Sequence, residues 1–122
     1  MSLTAAVINA GIGDLSLGLQ MAGFQIAVAF EPDKRAATIH RTNLHNEVVP
    51  LSLEQIEPSM LPTIDLLAAR IRLSSRNSPV QDHAASNLLH LLERHRPRGV
   101  FLTFGSASPN HDRFNYFLVL RS

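Results

Sequence analysis

The sequence predicts an α/β fold: a parallel sheet of about five strands with helices on both faces. Three observations predict it. Short apolar runs rich in Val, Ile, Leu and Phe recur along the chain, as strands buried on both faces do. Segments with apolar residues at helical spacing separate them. Glycine or proline marks most of the junctions. This alternation builds a sheet whose strands are joined by right-handed crossovers.

The first run, Thr4–Ala10, is closed by Gly11 and reads as strand one. Leu15, Leu19 and Ala22 then follow at helical spacing up to Gly23, a helix stop. Gln25–Glu31 is the second strand and ends in an acid. Pro32 suits the start of the next helix, with Ala36, Ala37 and Ile39 on its inner face. Val48–Ser52 is a short third strand, and Pro50 makes it an edge. Thr63–Ala69 is the fourth strand, and the polar stretch Arg70–Gln81 a loop. Asp82–Pro97 reads as a helix with Ala85, Leu88, Leu89 and Leu92 inward. Arg98–Gly105 is the fifth strand. The tail from His111 fits a helix or a strand equally.

Composition narrows the function classes. At 122 residues and 13.4 kDa, residues 1–122 make one domain with a real core. Hydrophobic residues at 45% and charged residues at 17% indicate a globular chain. No apolar run reaches the roughly 18 residues of a membrane span, and no basic leader is present, so a cytoplasmic location is expected. The absence of cysteine excludes disulfides, thiolate metal sites and thiol nucleophiles. The six histidines form no metal-ligand motif; His83 and His90 share a helix face as a surface pair. The net charge of +1 hides an asymmetry: three Lys/Arg face seven acids in residues 1–65, and eight Arg face three acids afterwards. A basic half attracts phosphate backbones, and cations at a helix C-terminus, as in Glu93–Arg98, also suit the dipole. Arg72–Ser78 reads as a flexible loop or a phosphate site.

Gly11 and Gly13 sit where strand one turns into a helix, so the backbone can approach a ligand closely. A dinucleotide fingerprint wants a third glycine at position 16, which is Ser16. Glu31 lies 20 residues beyond Gly11 at the end of strand two, where an acid accepts hydrogen bonds from ribose hydroxyls or caps the helix after Pro32.

Ala10, Gly11, Gly13, Ser16, Gly18, Ala22, Gly23, Phe24 and Glu31 together resemble the opening of the DNA cytosine-5 methyltransferases. A looser likeness runs through Ile64–Ala69 and Asn87–Phe104. The resemblance implies a Rossmann-like fold and S-adenosylmethionine as cofactor. It implies that the turn Ala10, Gly11, Ile12 and Gly13 cradles the methionine part, that Glu31 takes the ribose hydroxyls, and that Pro32 and Asp33 lie beside the adenine. It further implies methyl transfer to cytosine in DNA.

The family's chemistry uses a cysteine thiolate that adds to carbon 6 of a flipped-out base and a glutamate that assists at the ring nitrogen. Here Arg72 stands at the cysteine's place and Thr103 where the glutamate would be. Neither side chain can assume those roles. Asn9 replaces the family's phenylalanine, and Ser52 an aspartate that reads the adenine amino group. Asp14 replaces a glycine; it either pairs with the cofactor's ammonium or repels its carboxylate. The expectation is a degenerate, truncated member with an incomplete methyltransferase core, weak cofactor binding and no catalysis by this chain. It lacks the target-recognition region, so DNA contact is weak and non-specific. Strand five is expected at an edge, open to a homo-oligomer or a methyltransferase partner. The alternatives are a non-catalytic subunit of an active methyltransferase and a generic nucleotide-binding domain.

Overall fold

A computed structural model describes residues 2–73, 79–106 and 115–120. The chain runs through β1 (Leu3–Ile8), α1 (Asp14–Met21), β2 (Phe24–Phe30), α2 (Lys34–Leu44) and β3 (Val48–Val49). Two short 3₁₀ turns, Leu53–Gln55 and Pro58–Met60, lead to β4 (Leu66–Leu73), α3 (Pro79–His95), β5 (Gly99–Ser106) and β6 (Asn115–Leu120). The sheet order is β3-β2-β1-β4-β5-β6. The first five strands are parallel, and β6 lies antiparallel to β5. The sheet is Rossmann-like, and the ambiguous tail resolves into a strand over Asn115–Leu120.

Both faces of the sheet are covered because successive strand residues point to opposite sides. On one face Ala6, Ile8, Val28, Phe30, Leu67 and Ala69 pack with Leu88 and Leu91 of α3 and with Leu53 and Ile56 of the first 3₁₀ turn. On the other, Val7, Ala29 and Ala68 pack with Ala37 of α2 and with Leu15 and Leu19 of α1. The centre of the sheet, β1 and β4, is accordingly the driest part of the molecule.

Several sequence expectations shift in detail. The inner face of α3 is Ala84, Leu88, Leu91 and Leu92, whereas Ala85 and Leu89 are exposed. In α2 the buried residues are Ala37 and His40, and Ile39 faces outward. The expected loop after Ala69 is a strand up to Leu73, because β5 offers partners from Leu66↔Gly99 to Leu73↔Ser106. β5 is not an edge: β6 pairs along it from Gly99↔Leu120 to Phe104↔Asn115. β3 does lie at an edge, but it is shorter than expected, ending at Val49 before Pro50. No helix among the described residues is long and apolar enough to cross a membrane.

Candidate functional site

Ligands of parallel sheets bind beyond the carboxyl ends of the strands, near the switch point. In this sheet the chain leaves β1 toward β2 on one side and reaches β4 on the other, so the exit of β1 is that point. The strand stops at Ile8 because Asn9 turns into the left-handed region at φ 57°. Its side-chain amide donates to the carbonyl of Arg70 at 2.7 Å, fastening the turn to β4. The Ala10 amide donates to the carbonyl of Phe30 at 2.9 Å, fastening it to β2.

Gly11 and Gly13 follow with φ of 61° and 108°, values that disfavour any side chain. They serve different ends. A Cβ on Gly11 would lie 3.3 Å from Nη1 of Arg70, on the cleft side. A Cβ on Gly13 would lie 2.8 Å from Cδ1 of Leu44 and 3.1 Å from Cδ2 of His40. Gly13 therefore lets α1 start against α2.

Glu31 joins the two halves of the site. It is buried, at 8% exposure. Its Oε1 accepts the Gly11 amide at 2.8 Å and its Oε2 the Asp33 amide at 2.7 Å. Asp33, not Glu31, caps α2, its Oδ1 accepting the amides of Arg35 and Ala36 at 2.9 and 3.2 Å. Each Glu31 oxygen carries a second lone-pair direction that can accept a ligand hydroxyl.

A cleft of about 530 Å³ opens over these groups, lined by Gly11, Glu31, Pro32 and Asp33, by Ser52 and Leu53, and by Arg70 and Ile71. Its size is that of small-molecule sites. Of the seven cofactor candidates, the structure gathers Gly11, Glu31, Pro32 and Asp33 at this cleft. Ala10 is buried on the α1/α2 side, Ile12 is exposed, and Gly13 faces α2. Asn9 and Ser52, two of the departures from the family pattern, both line the cleft.

Arg70 is the residue that sequence reasoning missed. Its Nη2 donates to Oδ2 of Asp14 at 2.6 Å, so a cation and an anion meet at the turn. Burial works to raise the Asp14 pKa, but the hydrogen bond and charge of Arg70, with the amides of Asp14 and Leu15, hold it below 3.8. The sequence puts Arg70 in a polar loop; the alternation Arg70-Ile71-Arg72-Leu73 is the signal that extends the strand over it.

Arg72 lies within β4, paired with Gly105, and its side chain is outside the described residues, as are residues 74–78 of the supposed phosphate loop. Thr103 is in the middle of β5, 5% exposed, its hydroxyl without a partner among the described residues. His83 and His90 stand around an open depression with Ser86, Asn87 and Glu54, the last shared with the cleft. Among the described residues no group of three or more His, Asp or Glu could hold a metal ion.

A sequence model of the C-5 cytosine-specific DNA methylases matches residues 5–70, the stretch holding the turn, Glu31 and Arg70. The chain belongs to that family. It is 27% identical over 128 residues to the type II methyltransferase M.Bsp6I of Bacillus sp. (strain RFL6), covering 97% of this chain and 41% of that protein. The chain thus spans less than half the length of this methylase relative. A structure described as a DNA modification methyltransferase encoded within an Escherichia coli prophage aligns with a TM-score of 0.78 at 18% identity, over 89% of this chain and 34% of that one. The plantazolicin methyltransferase BpumL, solved in complex with SAH, aligns with a TM-score of 0.61 at 10% identity, over 84% of this chain and 39% of that one. Both likenesses are of the fold.

Proposed function

We propose that this chain is the cofactor-binding part of a cytosine-5 DNA methylase, that it takes S-adenosylmethionine into the Glu31 cleft, and that it does not transfer the methyl group by itself. The observation carrying the first half is the Glu31 carboxylate, held by the amides of Gly11 and Asp33 at the mouth of a cleft of about 530 Å³. An acid fixed there suits the two hydroxyls of a ribose. Pro32, Asp33, Ser52 and Leu53 supply one end for the adenine, and the turn at Gly11 the other for the methionine part. When bound, the donor supplies an electrophilic methyl group on a sulfonium.

The second half rests on the reaction centre. The 122 residues contain no cysteine. Arg72 and Thr103 stand in β4 and β5 and offer neither a thiolate nor a carboxylic acid. Without these groups, carbon 5 of cytosine is not activated for attack on the donor. Contact with DNA is then of the salt-sensitive, sequence-blind kind.

A second reading, a non-catalytic subunit of an active methylase, is favoured by one feature. β6 ends the sheet order, and among the described residues no strand pairs along its outer side. A partner's strand, or a second copy of the chain, would add there.

Incubating the chain with methyl-labelled S-adenosylmethionine and cytosine-containing DNA tests both halves. The expected result is protein-associated label that unlabelled donor displaces, and none in the DNA. Label appearing in DNA refutes the inactivity; label that never associates refutes the cofactor claim.

A further inference from the structure

Arg70 lines the turn end of the cleft beside Gly11, and Asp14 stands next to both, just outside the lining. A Cβ built on Gly11 would meet Nη1 of Arg70 at 3.3 Å and Oδ1 of Asp14 at 3.7 Å. The two side chains meet through one contact, Nη2 to Oδ2 at 2.6 Å, so both groups keep free hydrogen-bonding capacity. Their side chains are 30% and 57% exposed, within reach of a ligand. An exposed ion pair is weak, so opening it costs little.

We propose that Arg70 and Asp14 form a clamp for the zwitterionic amino-acid end of the methyl donor. This rests on the reading of the cleft as its binding site. Arg70 receives the α-carboxylate in place of Asp14, with the fork geometry that guanidinium offers to carboxylates. Asp14 receives the α-ammonium. One intramolecular pair opens and two pairs with the ligand form, so charge stays balanced at every atom brought in. The same arrangement selects against phosphates. Glu31, Asp33 and Glu54 line the cleft, and Arg70 is the one cation among the described lining residues. A nucleotide's phosphates would gain Arg70 but face these carboxylates, whereas the donor's sulfonium is attracted by them.

The pair also answers the question posed by a carboxylate at position 14. Unpaired, Asp14 would repel the ligand's carboxylate; partnered by Arg70, it sits in a local field close to neutral.

The test is calorimetric titration of the chain with S-adenosylhomocysteine, with 5′-methylthioadenosine, which lacks the amino-acid end, and with AMP. The wild type should bind S-adenosylhomocysteine at least about tenfold more tightly than methylthioadenosine, since charge-assisted pairs are being added. Arg70→Gln and, independently, Asp14→Asn should close most of that gap while leaving methylthioadenosine affinity unchanged. Equal affinities of the wild type for the two adenosines overturn the clamp and leave the cleft reading standing. Tighter binding of S-adenosylhomocysteine by Arg70→Gln also overturns it, by making Arg70 a plug. A preference for AMP overturns it too. Binding of none of the three ligands overturns clamp and cleft together. The wild-type comparison does not depend on either variant folding.

Discussion

The Glu31 carboxylate accepts the Gly11 amide at 2.8 Å, tying the exit of β2 to the turn that leaves β1. This bond crosses 20 residues of sequence and joins the two features that make the cleft: a backbone bend and an acid. With both oxygens engaged by amides, the carboxylate is preorganised before any ligand arrives. A buried acid in that setting is also part of the fold. Replacing Glu31 with Ala leaves the Gly11 amide without its partner, and losses of about 1–3 kcal/mol are expected for such a group. Chemical denaturation of Glu31→Ala should show a loss in this range.

Gly13 tests packing separately from ligand binding. Its φ of 108° and the approach of Leu44 and His40 leave no room for a side chain. Gly13→Val should lower stability by more than about 1 kcal/mol through strain and overpacking. Thermal melting checks this, and an unchanged midpoint contradicts the close approach of α1 and α2.

The α3 face is tested by Leu91 and Leu89. Leu91 is fully buried, and Leu89 is 61% exposed. Leu91→Ala should cost about 2–5 kcal/mol, and Leu89→Ala well under 1 kcal/mol. Equal effects would mean that the helix is rotated from the position described.

The pH dependence of stability follows from Asp14. Its folded pKa lies below 3.8, so the charged form is favoured by folding. Stability from this group is present above pH 3.8 and lost as pH falls through the folded value. Its exposure makes the effect small. The stability difference between wild type and Asp14→Asn should therefore shrink on acidification below that range, as denaturant midpoints across pH will show.

Much of the fold was legible because local pattern and tertiary role agree. Val7, Val28 and Leu67 sit in apolar runs that could only be strands buried on two faces. Gly23, at φ 102°, ends α1 as its composition announced. The inner faces of α2 and α3 were less legible. His40 is polar but fully buried, with Nε2 2.8 Å from Oδ1 of Asn46, and apolarity alone assigned its place to Ile39. In α3, four leucines among the five residues Leu88–Leu92 allow a rotation of one position. β4 runs past Ala69 because β5 pairs with it, a partnership no local stretch reveals.

The site divides the same way. Gly11 and Glu31 announced themselves by spacing and by a family likeness, Pro32 and Asp33 by the likeness alone. Arg70 did not, since its meeting with Asp14 spans 56 residues and exists only once β4 lies beside β1. The edge was misplaced for a related reason. A strand order of five leaves β5 open, and the antiparallel return of β6 is a tertiary choice.

The central claim is that Glu31 anchors an adenosine-bearing methyl donor. Calorimetric titration of S-adenosylmethionine into the wild-type chain and into a folded Glu31→Ala variant tests it most directly. Saturable one-site binding is expected in the wild type, weakened about tenfold or more in the variant. A wild type without saturable heat, or a variant that binds equally well, contradicts it.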